Sequence, residues 1–259
     1  RNDSKGKHPG ATIVRDLDEI LTDKDIEMVV VNTPDHLHFE MTSRVIAAGK
    51  HVVVEKPFTL KSEEAQKLIE LAQKKGVLLT VFQTRRWDGD YLTVKEILAS
   101  KKLGRLVEFE SHFDRYSPEM KPDAWRDVAL PGGGILYDLG SHLIDQLICL
   151  FGFPDTIKAD IKAERDGSPV DDYFHLLMKY PGMSAVLTAG MMVENIGPRY
   201  ILKGNKGTYS KWGLDPQEAA LKAGKMPTGE KWGADEIKNY GTLSIGQNIP
   251  PDQYQIPTK

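Results

Sequence analysis

The sequence predicts an α/β chain, with a doubly wound parallel sheet over residues 1–84 and an α+β region on a mostly antiparallel open sheet over residues 85–259. Two observations carry this. Between residues 28 and 82, short continuous apolar runs alternate with longer amphipathic stretches. Strands that are apolar at every position belong to parallel sheets covered on both faces. From residue 156 to 164 the pattern becomes T-I-K-A-D-I-K-A-E, the strict alternation of an antiparallel strand with one wet face.

The first strand run is Met28 to Val31, ended by Thr33 and Pro34. A helix is expected from about Leu37 to Ala48, with Phe39, Met41, Val45 and Ile46 at helical spacing and Gly49 as its stop. His51 to Glu55 is a second strand run, broken at Pro57. Ser62, Glu63 and Glu64 open another helix, with a capping hydroxyl and acids at the positive end of the dipole, and Gly76 closes it. A third strand run spans Val77 to Gln83. Beyond it, strands are expected near 105–116, 156–164, 173–180, 184–193 and 199–210, with one helix over about 135–150. The stretch after Trp212, rich in Gly, Pro and Lys, reads as irregular, and Cys149 within LICLF reads as inert core.

Composition excludes several classes of function. The chain has 259 residues, 40% of them apolar, and 34 Lys and Arg against 37 Asp and Glu leave a net charge of −3. That balance offers no global attraction to nucleic acid or to an anionic membrane. No stretch approaches the ~18 uninterrupted apolar residues of a membrane helix. A single cysteine cannot form an intramolecular disulfide, so a cytoplasmic protein is expected.

In open α/β sheets, ligands bind beyond the carboxyl ends of the strands. Three such ends carry polar residues: Asn32 to Pro34, Glu55 to Pro57, and Thr84 to Trp87. A Lys56 ammonium at the second would hydrogen-bond a substrate hydroxyl and stabilise the oxyanion formed as it loses its proton; a solvated surface lysine is the plainer alternative. The second constellation follows Gly132, Gly133 and Gly134. There Asp138, His142 and Asp145 stand at i, i+4 and i+7, on one face of a helix. A carboxylate beside an imidazole prepares a general base near neutral pH. A surface cluster or a metal site of two carboxylates and an imidazole would show the same spacing; no metal is expected. His36 and His38 after Pro34 either start the helix or touch a ligand. Trp125 and Arg126 either stack on a planar ring and grip a phosphate or anchor the loop before the glycines. Asp171 and Asp172 open a strand in which His175 reads as structural.

Taken together, VVVNTPDHLHFE (29–40), AAGKHVVVEKP (47–57) and GGGILYDLGSHLIDQ (132–146) resemble the Gfo/Idh/MocA family of nicotinamide-dependent sugar and cyclitol oxidoreductases. QTRRWD (83–88), WR (125–126), DYFH (172–175) and GPRY (197–200) are most similar to the branch that includes NADP-dependent scyllo-inositol dehydrogenases. The resemblance implies a Rossmann domain, a substrate domain with an open sheet, and an active site between them. It implies Lys56 as catalytic lysine, His142 as acid/base, and Asp138 as the acid that binds substrate and orients the histidine. Thr33, Pro34, His38, Glu55 and Lys56 would line the cofactor, with Trp125 and Arg126 on a further cofactor loop. Arg85, Tyr116 and Asp145 are expected on the sugar face. NADP is favoured over NAD, and a homodimer or homotetramer is expected. The chain departs from the family in having no G-x-G-x-x-G, so it is expected to be a piece of a longer protein, short of its Gly-rich turn and its C-terminal end. A dinucleotide- and sugar-binding regulatory protein of the same fold is the rival from another class. A glycosidase using tightly held NAD for transient oxidation is the rival enzyme.

Overall fold

The computed structural model describes residues 6, 8–120, 127–246, 248 and 251–259. The chain divides into two compact units, one ending at Phe82 and the other beginning at Gln83.

In the first unit, helix α1 (Leu17–Thr22) precedes strand β1 (Met28–Val31), helix α2 (His38–Ala47), strand β2 (His51–Glu55), helix α3 (Ser62–Lys75) and strand β3 (Leu79–Phe82). The three strands form a parallel sheet in the order β1-β2-β3, with Val31 opposite Val54 and Glu55 opposite Phe82. A 3₁₀ turn, Asp35–Leu37, sits ahead of α2. α3 is not capped by its serine: Lys61 holds the N-cap position without a side-chain hydrogen bond. Glu63 and Glu64 do lie in the first turn, and Gly76 ends the helix at φ +66°. Val31, Val52 and Val54 pack with Val45, Ile46, Leu68 and Ala72 of the helices. Each of the buried Val, Ile and Leu side chains contributes roughly 1.5–3 kcal/mol. The other face differs from the expectation of a doubly covered sheet, for Val30 is 58% and Phe82 49% exposed. Among the described residues no helix lies over that face.

The second unit contains helix α4 (Gly89–Ala99), strand β4 (Leu106–His112), a π-helical turn (Leu136–Gly140) running into helix α5 (Ser141–Phe151), and strands β5 (Thr156–Lys162), β6 (Tyr173–Tyr180), β7 (Met183–Gly190), β8 (Tyr200–Gly204) and β9 (Gly207–Lys211). Helix α6 (Gln217–Lys222) and strands β10 (Gly241–Ile245) and β11 (Asp252–Ile256) follow. Eight strands form one sheet in the order β11-β10-β9-β8-β4-β7-β6-β5, all neighbours antiparallel except β4 and β7. Its core joins Phe109, Phe174, Leu187, Tyr200, Leu202 and Tyr209 to Val94 of α4 and to Leu139, Leu143 and Leu147 along the π turn and α5. The opposite face presents half-buried Glu108, Glu110, His112, Thr188, His175 and Lys203.

Three expectations are corrected here. The stretch after Trp212 adds α6 and two strands, because alternating residues such as Thr242, Leu243 and Ser244 find partners in β9 and β11. β5 is exposed at every residue rather than on one face only, since it is an edge strand paired solely with β6. Cys149 is exposed; it lies about 200° around α5 from buried Leu147. No helix among the described residues is long and apolar enough to cross a membrane.

Candidate active site

In the first unit the site is built on the carboxyl ends of β1 and β2. Thr33 and Pro34 follow β1, while Glu55 closes β2 and leads into Lys56 and a cis Lys56–Pro57 bond. His38, expected to line the cofactor, is instead fully buried beneath these ends. Its Nδ1 lies 2.8 Å from the Pro57 carbonyl oxygen and its Nε2 2.9 Å from that of Thr33. The ring therefore sits between the two strand ends and donates its N–H to one of the two carbonyl oxygens. The half-buried Lys56 backbone N–H donates to Glu55 Oε2 at 3.3 Å. Thr33 Oγ1 is buried without a hydrogen-bond partner. A lone hydroxyl at the carboxyl end of a parallel strand fits a dinucleotide, which binds at such ends and brings hydroxyl and phosphate oxygens to meet it.

In the second unit, Asp138 lies on the π turn and His142 on the first turn of α5. They are 8% and 7% exposed. The sequence predicts one α-helix through both; the structure inserts a wider turn, a feature common at functional sites. Asp145, one turn further, accepts from Arg86 Nε at 2.8 Å and from Arg86 Nη2 at 2.6 Å. Arg85, expected on the substrate face, is only 12% exposed and is held elsewhere. It donates to Asp88 at 3.1 Å and to Glu218 of α6 at 2.5 Å, with its guanidinium 4.8 Å from the Phe113 ring centroid. Arg86 thus takes the partner that sequence reasoning reserved for the site, and only the direction of the 3₁₀ turn Thr84–Trp87 separates the tandem arginines. Gln146, also missed, ties this turn to the sheet. Its Nε2 donates to the Arg85 carbonyl at 2.6 Å, and its Oε1 accepts from Tyr200 Oη at 2.8 Å and Arg199 Nη2 at 3.1 Å. Its spacing four residues after His142 was the available signal. Tyr116 is half exposed and bridges to Met192. Trp125 and Arg126 lie outside the described residues. Among the described residues, no group of three His, Cys, Asp or Glu is arranged to hold a metal ion.

Asp88 has a pH signature. Burial, with repulsion from Asp90, pushes its carboxyl up to about 7 against the pull of Arg85. The folded state therefore holds a proton that the unfolded carboxyl, near ~3.9, has released. Stability contributed by this group falls as pH rises from about 4 through 7. Asp88→Asn is expected to flatten that part of the Tm-against-pH curve, and a curve parallel to wild type over this window would refute the assignment.

A parallel βαβαβ unit with a lysine turn at its strand ends, followed by an open-sheet unit carrying a buried Asp–His pair, defines a two-unit oxidoreductase. Comparisons agree. Residues 4–83 match the oxidoreductase family with an NAD-binding Rossmann fold, and residues 91–210 match the GFO/IDH/MocA C-terminal domain. The chain is 43% identical to the scyllo-inositol 2-dehydrogenase (NADP(+)) IolW of Bacillus subtilis, over 98% of this chain and 71% of the relative. It is also 43% identical to the oxidoreductase C115.03 of Schizosaccharomyces pombe, over 93% of this chain and 67% of that one. The solved structure of the oxidoreductase YvaA of Bacillus subtilis superposes with a TM-score of 0.93 at 41% identity, covering this chain fully and 74% of its own. The chain belongs to the Gfo/Idh/MocA family and is a dehydrogenase or reductase.

Proposed function

We propose that the enzyme interconverts a CH–OH group and its ketone on a cyclic polyol or sugar of the inositol class, using NADP in preference to NAD. The observation that carries this reading is the burial of Asp138 and His142, four positions apart and each less than a tenth exposed. Solvated surface residues are not buried in this way. Kinship to a scyllo-inositol 2-dehydrogenase that uses NADP supports the substrate class and the cofactor.

Thr33, Pro34, Glu55 and Lys56 would hold the nicotinamide end, and the bound dinucleotide supplies the hydride chemistry. His142 takes the proton of the reacting hydroxyl at a ring nitrogen, or returns it in the reverse direction. In the first unit, Lys56 donates a hydrogen bond to a substrate oxygen and stabilises negative charge developing there. Asp138 orients the imidazole and accepts from a neighbouring hydroxyl, and the Asp145–Arg86 pair reads the far hydroxyls. The units serve as a cofactor domain and a substrate domain. The protein acts in the cytoplasm as a homodimer or homotetramer, associating through the half-buried face of the eight-stranded sheet.

The test is nicotinamide absorbance against a panel of cyclitols and sugars, scyllo-inositol included, with NAD and NADP separately. Turnover with NADP and one stereochemical group of cyclitols is the expected result. Dinucleotide binding without an absorbance change across the panel would overturn it in favour of a regulatory protein. Glycoside cleavage without net consumption of added cofactor would point to the transient-oxidation glycosidase.

A further inference from the structure

β6 is preceded by two consecutive aspartates that make different bonds. Asp172 is fully buried. Its Oδ1 accepts from the Glu164 backbone N–H at 2.6 Å, and its Oδ2 accepts from Arg165 Nε at 2.9 Å and from the Arg165 backbone N–H at 3.2 Å. Arg165 in turn donates to Asp127 at 2.8 Å. The Asp172 backbone is bonded in both directions, to the Lys162 carbonyl and from the Met191 N–H. Residue 172 is therefore a fixed point, and Asp171 hangs from it.

Asp171 reaches the helix that bears the Asp–His pair. Its Oδ2 accepts from the Leu136 N–H at 2.8 Å, and its carbonyl accepts from the Ile135 N–H at 3.0 Å. These belong to the amides that a first helical turn leaves without an internal partner. The local sequence supplies no substitute. Ile135 stands at the N-cap position without a side-chain cap, and glycines precede it. Gly134 completes the fit. It has φ +89°, and a Cβ there would lie 2.1 Å from Asp171 Oδ1. The Asp138 N–H donates to the Gly134 carbonyl at 3.3 Å, so the backbone of the catalytic aspartate begins at this contact. A carboxylate here also opposes the positive end of the helix dipole.

We propose that Asp171 is a positioning residue, an N-cap supplied from the strand before which it stands, which sets the rotation of the π turn and α5 and thereby the placement of Asp138 and His142. The inference rests on the catalytic reading of those two residues given above. A wide turn has more freedom than a regular α turn, so an external anchor decides where its side chains end up, and misplacement by about 1 Å can cost roughly 10²-fold in rate.

The test measures kcat and KM with NADP and scyllo-inositol for D171A, D171N, G134A and H142A, with amide hydrogen exchange over residues 135–142 and a thermal melt on each. D171A and G134A are expected to lower kcat roughly 10–100-fold, with KM for NADP within about twofold of wild type. Exchange at Leu136 should accelerate in both. D171N keeps an acceptor for the Leu136 N–H, so it should recover a large part of kcat and restore the protection. If D171A fails to fold, D171N and G134A decide by the same readings. Wild-type kcat and unchanged protection in D171A, beside an inactive H142A, would overturn the positioning role and leave the catalytic reading standing. Wild-type turnover in H142A would sink the catalytic reading itself. Should scyllo-inositol not turn over, exchange alone decides the cap: unaltered protection at Leu136 in D171A overturns it.

Discussion

Lys56→Ala and His142→Ala are each expected to lower turnover by roughly 10²–10⁴-fold, the usual worth of a positioned proton-transfer group or oxyanion donor. The two losses have different structural origins. Lys56 sits in a turn beside the buried His38 ring, which lies against the Pro57 and Thr33 carbonyls at the two strand ends. Its truncation deletes a charge and leaves the backbone of the turn in place. Lys56→Arg should rescue poorly, since a planar guanidinium fork does not occupy the place of a compact ammonium. His142 is buried on α5, and under the proposed role its truncation is expected to remove the proton acceptor and leave dinucleotide affinity unchanged, measurable by nucleotide fluorescence. Near-wild-type turnover in both alanine variants would end the assignment.

How much of this was legible beforehand depended on which physical cause set each feature. Strand ends were legible because apolar β-branched runs stop abruptly at Thr33-Pro34 and at Lys56-Pro57, and local chemistry alone ends a strand there. The helix with Asp138 and His142 was legible through its spacing and its leucines, which enter the core at Leu139, Leu143 and Leu147. The π turn within it was not, for its surroundings are non-local: Asp171 accepts from the Leu136 N–H, and Gly140 lies close to Phe174 as well as Leu136. Nothing local distinguishes the tandem Arg85 and Arg86. Their roles separate only when Glu218, more than a hundred residues away in sequence, captures one and Asp145 the other. β10 and β11 were hidden for a similar reason. Short strands with polar residues at alternate positions carry little propensity, and their existence depends on a sheet edge already in place.

Lys211→Met should destabilise the second unit strongly. Lys211 and Asp235 have side chains 0% and 2% exposed, with Nζ 2.8 Å from Oδ2. Lys211 Nζ also donates to the Trp212 carbonyl at 2.5 Å, while Asp235 accepts from Asn239 and Thr258. Through this cluster one carboxylate joins the end of β9, the 3₁₀ turn Ile237–Asn239 and the residues after β11. Burial pushes the Asp235 carboxyl up, but the hydrogen bonds from Lys211 and Asn239 outweigh it and hold it below the usual range. Its contribution is therefore present above the unfolded value of ~3.9 and is lost as pH falls below it. Removing the ammonium leaves a buried charge without its counterion, at a cost of about 3–5 kcal/mol, or a fall in Tm of roughly 10 °C. The sign of the pH dependence should then reverse. With burial unopposed, the folded carboxyl binds its proton more tightly than the unfolded one, so K211M should be less destabilised at pH 5 than at pH 7. Urea denaturation at the two pH values separates the cases. A loss below 1 kcal/mol, or one equal at both, would show that the carboxylate is satisfied by Asn239, Thr258 and solvent. A K211M/D235L double variant should recover much of the loss, because deleting both charges removes the desolvation penalty together with the attraction.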